Sequence, residues 1–379
     1  MSVKYYLEDN VFVAAQKRIS WLFDEFENVV VGYSGGKDST VILELAILEA
    51  RKRNVKIPVM FLDQEAEWEA TRDMVRYVMD RPEVKPYWLQ VPIILANATS
   101  ASDDWLHCWD PEAEDRWMRP REPDSLKENI YGTNRFAQMF TEFLRVHFGD
   151  GPACYISGVR TEESPTRMMG LTHNATYKWV TWGKVLDKAR QHYTFYPIYD
   201  WSLTDVWKAI EEHGWRYNRI YDAMAQYGVP IRDMRISNVH HETAVKALFW
   251  LQEIEPKTYA KLTQRIGGID MAGKMGVEDY FVRRLPPMFR DWAEYRDFLL
   301  DKLIDPKHQL AFLRRFERQE QMYQGLRSPS LEKAQVSAIL ANDYHLTKLE
   351  NFDHMPQSAG VRRTIRKKQA NEKQDRSTG

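Results

Sequence analysis

The sequence predicts an α/β protein: a doubly wound, mainly parallel five-stranded sheet followed by a helical C-terminal region. Three observations carry that reading. Short apolar runs, Val29-Val30-Val31, Val59-Met60-Phe61-Leu62 and Ala153-Cys154-Tyr155-Ile156, suit strands buried on both faces. Helical periodicity lies between them, so strands and helices alternate as in a sheet built from crossovers. Beyond residue 200 strand signals become sparse and helical spacing persists to about residue 350.

The elements follow in order. Residues 11–27 place Val11, Val13, Ala14, Ile19, Leu22, Phe23 and Phe26 at helical spacing. A strand over 29–33 comes next. Thr40 to Ala50 is strongly helical, and Arg51 to Arg53 suit the negative end of its dipole. Further strands are expected at 58–62, ending at Asp63, at 87–91, and at 153–157, ending at Gly158. A helix through Met79 separates the first two of these. An insertion at about 97–135 is rich in Asp, Glu, Pro and Trp. The plan is therefore an N-terminal helical segment over 1–27, an α/β domain over 28–225, a helical region over 226–350 and a disordered tail over 356–379. Residues 361–379 carry seven basic and two acidic side chains, so the tail is basic.

Composition narrows the function classes. A chain of 379 residues, 44% hydrophobic, can bury a large core without disulfides or metals. Its net charge of −1 gives no overall polyanion-binding surface, which leaves nucleic acid only to a local patch such as the tail. Two cysteines, Cys108 and Cys154, form no disulfide framework and no zinc spacing. No run reaches ~18 apolar residues, so no membrane span is expected. The N-terminus has no signal-peptide pattern, and a cytoplasmic location is expected.

The chemistry concentrates at Ser34-Gly35-Gly36-Lys37-Asp38-Ser39, between a strand and a helix. Paired glycines let backbone N–H groups turn toward an anion with no Cβ in the way. The following helix points its N-terminus at the same place. Lys37 adds positive charge, and Ser34 and Ser39 add hydroxyls. The spacing is not a Walker A loop, because Asp38 stands where Ser or Thr would follow the lysine. Asp63 and the segment from Gly158 end strands on the same side, so three pieces of sequence converge on one crevice.

The hexapeptide after an apolar strand resembles the PP-loop of the adenine nucleotide alpha hydrolase superfamily, a HUP-like fold. That superfamily includes ATP pyrophosphatases and phosphoadenosine phosphosulfate (PAPS) reductases. Ser157-Gly158-Val159-Arg160, with Ser164 and Arg167 downstream, is similar to the Gly-x-Arg segment of the PAPS reductase branch. Pro197-Ile198-Tyr199-Asp200-Trp201, followed by Tyr217-Asn218 and Tyr221-Asp222, resembles another of its segments. The likeness covers about residues 25–225. Trp105-Leu106-His107-Cys108-Trp109 and Trp117-Met118-Arg119-Pro120 resemble a prophage and mobile-element subgroup of the immunoglobulin-binding-regulator type. Members of that subgroup are often encoded beside a ParB-like partner.

The resemblance implies binding of ATP or a related adenine nucleotide, with Mg²⁺, and cleavage at the α-phosphate to adenylate or activate a second substrate. Ser34, Gly35, Gly36, Lys37, Asp38, Ser39, Asp63 and Arg160 are the candidate nucleotide contacts, with Lys37 and Asp38 catalytic. Asp38 either helps hold Mg²⁺ or caps the helix. Asp63 meets ribose, adenine or metal, or is a solvated loop carboxylate. Arg167 is the candidate for an anionic substrate. Arg160 and Arg167 have the alternative of pairing with Glu162, Glu163 or another acid. Trp105, Trp109, Trp117 and Arg119 of the insertion are candidate substrate contacts.

Departures from the family set limits. Its reductases use a cysteine near the C-terminus, and this chain has none after Cys154. Reduction through a thiolate is therefore excluded unless Cys108 or Cys154 substitutes, and no iron–sulfur cluster is expected. Two other functional readings stay open beside the enzyme: a nucleotide-binding regulator that acts with a ParB-like protein or DNA, and a true PAPS reductase. His240-His241 lacks a third ligand, so zinc is not expected. Trp179 and Trp182 lie among Lys178, Lys184, Lys188 and Arg190; this pattern is either a nucleic-acid channel or helix packing, and packing is favoured.

Overall fold

A computed structural model of the chain describes residues 7–96, 105–163, 171, 176–236, 245–266, 285–323 and 328–340, together with 343, 346 and 349. They fall into two compact units. The first takes residues up to 95, 107–238 and 253–261; the second takes 96–106, 239–252 and those from 262 onward.

The described strands are β1 (Asn28–Gly32), β2 (Ile57–Leu62), β3 (Val84–Leu89), β4 (Ile93–Ala96), β5 (Trp105–Cys108), β6 (Ala153–Ile156), β7 (Gly183–Asp187) and β8 (His192–Phe195). The helices are α1 (Val11–Glu25), α2 (Lys37–Arg53), α3 (Glu69–Met79), α4 (Phe136–Phe148), α5 (Leu203–Glu212), α6 (Ile220–Tyr227), α7 (Val245–Ile254), α8 (Pro256–Arg265), α9 (Trp292–Lys302), α10 (Pro306–Met322) and α11 (Pro329–Leu340).

The first unit holds a sheet in the order β3-β2-β1-β6-β8-β7. Neighbours pair in parallel from β3 through to β8; β7 alone runs antiparallel, against β8. The sheet thus has six strands where five were expected. The extra one belongs to a hairpin at the sheet's edge. Its sequence, Gly-Lys-Val-Leu-Asp, carries the charge that edge strands use against mispairing, and that charge hides it from a search for apolar runs.

Strand alternation builds the two covered faces. Val29, Val31, Val59, Phe61, Cys154 and Ile156 join one core with residues of α1, α2, α3 and α5. On the opposite face α4 packs over the sheet: Phe140 meets Tyr155 at 5.5 Å and Phe143 meets Tyr87 at 5.1 Å between ring centroids. Local signals fix the helix ends. Asn10 caps α1 through the Val13 N–H, and Ser202 and Asp205 form a reciprocal capping box on α5. α2 ends where Asn54 turns left-handed at φ 54°.

Apart from the ends of β4 and β5, the described part of the second unit is helical. Leu299, Leu300, Phe312, Phe316, Val336 and Ile339 form its core. A buried amide chain crosses it: Arg296 donates to Gln335 at 2.9 Å, Gln335 to Gln319 at 3.0 Å, and Gln319 to the Leu349 carbonyl at 3.3 Å. Among the described residues no helix is long and apolar enough to cross a membrane.

Candidate functional site

β1 lies between β2 and β6, and the chain leaves it through α2 toward β2, away from β6. The carboxyl ends of β1 and β6 therefore flank a topological switch point, the usual crevice for ligands in open α/β sheets. The loop 34–36 and the segment from Gly158 emerge there.

Two glycines are required by close approach. Gly35 has φ +74°, and a Cβ there would come within 2.7 Å of Thr71 Cγ2. A Cβ on Gly158 would lie 2.6 Å from the Asp38 carbonyl carbon, so the end of β6 packs directly on the first turn of α2. Ser39 Oγ ties the loop together. It donates to the Gly36 carbonyl at 2.9 Å, accepts from the Ser34 N–H at 3.2 Å and lies 3.0 Å from Ser34 Oγ. Gly36 is the N-cap and supplies no side-chain acceptor. Tyr221 of α6 takes the Lys37 N–H at 3.2 Å. Asn218 donates to the Gly35 carbonyl at 3.2 Å and to Thr71 at 2.9 Å. Burial raises the Tyr221 hydroxyl far above the usual phenol range, so it stays protonated.

The charged groups form one network. Lys37 is buried, with Nζ 3.0 Å from Asp38 Oδ2 and 5.4 Å from the Tyr221 ring centroid. Arg160 donates Nε to Asp38 Oδ1 at 2.6 Å and also meets Glu162 at 3.1 Å, Glu163 at 3.6 Å and the Trp201 carbonyl at 3.4 Å. Two cations face three carboxylates, so the network sums to 2 − 3 = −1. A triphosphate enters it best with a cation alongside or by displacing carboxylates.

The second cluster sits where β2 ends. Asp63 is fully buried and accepts from Arg119 Nη2 at 2.7 and 2.9 Å, Trp88 Nε1 at 2.8 Å, Gln90 Nε2 at 2.9 Å and the Glu65 N–H at 2.9 Å. Its oxygens are held inside the protein, not by solvent. Glu65, at φ 64°, accepts from the N–H groups of Trp109 at 2.9 Å and Met118 at 3.1 Å. The indole of Trp109 donates to the Asp63 carbonyl at 2.9 Å, stacks edge-on with Trp117 at 5.5 Å and lies under Arg119 at 4.9 Å. Residues 109–119 of the insertion are thus pinned to the end of β2 by Trp109, Trp117 and Arg119.

Ser34 to Ser39 and Arg160 come together at the switch point. Asp63, Trp109, Trp117 and Arg119 come together beside β2. Trp105 is exposed in the second unit. Arg167, His240, His241 and the tail 356–379 lie outside the described residues. The Trp–basic stretch divides: Trp182 packs on Trp21 and Phe195, Lys178 pairs with Glu25, and Arg190 pairs with Asp187 and Asp150, while Trp179 stands exposed. Packing thus accounts for Trp182, ion pairs account for Lys178 and Arg190, and Lys184 and Lys188 stand exposed with Trp179. Thr71, Glu65 and Glu67 carried no sequence signal; Asn218 and Tyr221 did, through the segment containing them. Both cysteines are buried, and burial raises the Cys154 thiol, which disfavours a thiolate.

A model of the phosphoadenosine phosphosulfate reductase domain matches residues 28–274, and a domain of unknown function, DUF3440, matches 228–374. The uncharacterized protein YbdN of Escherichia coli strain K12 is 30% identical over 312 residues, 78% of this chain and 75% of that protein. The adenosine 5'-phosphosulfate reductase of Lysinibacillus sphaericus is 23% identical over 218 residues, 56% of this chain and 77% of the reductase. The crystal structure of the PAPS reductase from Candida auris, a phosphate complex, aligns with a TM-score of 0.34 at 14% identity, covering 63% of this chain and 99% of that one.

Proposed function

This chain belongs to the phosphoadenosine phosphosulfate reductase domain family, and from that premise we propose that it binds ATP or a related adenine nucleotide at residues 34–39 and cleaves it at the α-phosphate to activate a second substrate. The observation that carries the reading is the first turn of α2, whose N-cap Gly36 supplies no side-chain acceptor, aimed into the switch-point crevice with buried Lys37 beside it. In this chemistry a substrate oxygen attacks the α-phosphorus, the bond to the bridging oxygen breaks, and pyrophosphate leaves with the electron pair. Lys37 and the loop N–H groups stabilise charge on the phosphates. Arg160 positions Asp38 and is the second cation within reach of the nucleotide.

Mg²⁺ fits this site in a limited way. Among the described residues no group of three or more His, Cys, Asp or Glu side chains could hold a metal. Mg²⁺ commonly arrives with nucleotide phosphates and takes only one or two carboxylates. Asp38 is the candidate ligand, exchanging its pairs with Lys37 and Arg160. Bound there, the ion would offset the network's negative charge. The buried cysteines weigh against a thiol-based PAPS reductase.

The test is incubation of the chain with α-labelled ATP, Mg²⁺ and a cell extract. AMP and pyrophosphate, lost in Lys37→Ala, support the reading; ADP and phosphate, or full activity in Lys37→Ala, refute it. A second reading keeps binding without turnover, placing the chain in the prophage subgroup as partner of a ParB-like protein or of nucleic acid. The resting ion pairs that close Asp38 on Lys37 and Arg160, and the basic sequence of 361–379, favour it. It predicts pull-down or gel-shift activity that disappears when 356–379 are deleted; unchanged activity removes that form of it.

A further inference from the structure

Beside β2 lies a set of buried donors with nothing to donate to. Arg119 spends only Nη2 on Asp63; its Nε and Nη1 are buried without a partner. Arg72 Nε and Trp68 Nε1 are in the same condition, and the Trp68 ring is wholly buried. Trp68 and Arg72 stand one turn apart at the start of α3, where the Arg72 N–H donates to the Trp68 carbonyl at 3.1 Å. Arg119 lies close enough to Arg72 to act on its charge. Buried donors left unmade are costly and uncommon, so four of them in these three residues ask for an acceptor.

The donors' own chemistry specifies the kind, because three of the four belong to guanidinium groups, which pair best with oxyanions. Asp63 is matched by Arg119, and Glu122 accepts from Arg76 at 2.7 and 3.1 Å. Arg76 also pairs with Asp73 at 2.8 Å, and Arg72 reaches the shared Glu122 only at 3.6 Å. Burial, then the charges of Arg119 and Arg76, hold the Arg72 guanidinium below its ordinary range. Glu67, also buried, is pushed up to about 8 by burial and by Asp63, against the pull of Arg119, so at neutral pH it adds little competing negative charge.

We propose that Arg72, Arg119 and Trp68 form a buried oxyanion subsite, which takes the carboxylate, sulfate or phosphate group of the second substrate. Thr71, between Trp68 and Arg72 in sequence, abuts Gly35 of the loop, so the first turn of α3 packs against the nucleotide loop. The assignment to a second substrate rests on the nucleotide reading; binding of the anion does not.

The experiment is calorimetric titration of the full chain carrying Lys37→Ala with sodium sulfate, sodium phosphate and sodium acetate, at ionic strength fixed with chloride. The Lys37→Ala background removes the loop lysine from competition. One equivalent of at least one anion is expected. Arg72→Gln and Trp68→Phe, each added to that background, weaken it roughly tenfold or more, as loss of a charge-assisted donor does. Trp68→Phe removes the N–H together with the pyrrole half of the indole, so melting is followed to separate donor loss from the cavity it leaves; Arg119 is left in place because Asp63 depends on it. No binding in Lys37→Ala, or equal binding in all three chains with unchanged melting, overturns the subsite. Loss of ATP binding by the unsubstituted chain with the anion still bound would instead overturn the nucleotide reading alone.

Discussion

Replacing Glu67 by Gln should stabilise the protein at neutral and alkaline pH. Burial first, then repulsion from Asp63, raises the Glu67 carboxyl from 4.5 to about 8, with Arg119 and a backbone N–H opposing. The sign follows from proton linkage. Between about 4.5 and 8 the folded chain keeps a proton that the unfolded chain has lost, so stability falls as pH rises through that window. The contribution is fully present below about 4.5 and gone above about 8. At pH 7 the unfolded side chain lies about 2.5 units above its own pKa; at about 1.4 kcal/mol per unit, keeping the proton costs about 3 kcal/mol. Glutamine mimics the protonated acid and carries no such cost. Urea unfolding followed by tryptophan fluorescence at pH 5, 7 and 8.5 should show the variant and parent nearly equal at pH 5 and the variant ahead at higher pH. Parallel pH profiles would mean that Glu67 is ionised in the fold, and the reasoning on its surroundings would fail.

Other predictions concern the crevice. Gly158→Ala drives a methyl group into the Asp38 backbone, 2.6 Å from its carbonyl carbon, and should cost about 1–3 kcal/mol of stability and weaken nucleotide binding, measured by urea melts and calorimetry. Tyr221→Phe removes the acceptor of the Lys37 N–H and should cost about 1 kcal/mol, with a few-fold loss of nucleotide affinity and no change in secondary structure by circular dichroism. Both cysteines should resist an aromatic disulfide reagent at pH 8 in the native chain and react once it is unfolded; rapid native reaction would restore the thiol route.

The sheet was legible because its central strands are apolar on both faces, which leaves an unambiguous signature at Val29-Val30-Val31 and Ala153-Cys154-Tyr155-Ile156. β7 was not, because an edge strand needs apolar residues on fewer sides. The loop was legible because Gly35 and Lys37 are demanded by local geometry. The state of Asp63 was not: a strand-end aspartate reads alike whether it faces a ligand or is sealed by Arg119, Trp88 and Gln90, partners 25 to 56 residues away. Arg160 shows the same limit. Its match to Asp38 spans 122 residues and depends on β6 lying beside β1, which only the sheet order supplies. Arg72 and Trp68 carry no motif; what marks them is a buried donor atom in each, Nε and Nε1, that no acceptor meets.

The central claim is that residues 34–39 hold an adenine nucleotide through Lys37 and the first turn of α2. Calorimetric titration of the chain with a non-hydrolysable α,β-methylene ATP analogue and Mg²⁺, before and after Lys37→Ala, tests it most directly. The account predicts one equivalent bound, weakened roughly 10- to 100-fold by the substitution, as removal of a charged donor worth about 1.5–3 kcal/mol requires. No binding by the parent chain, or equal affinity in the two, would contradict it.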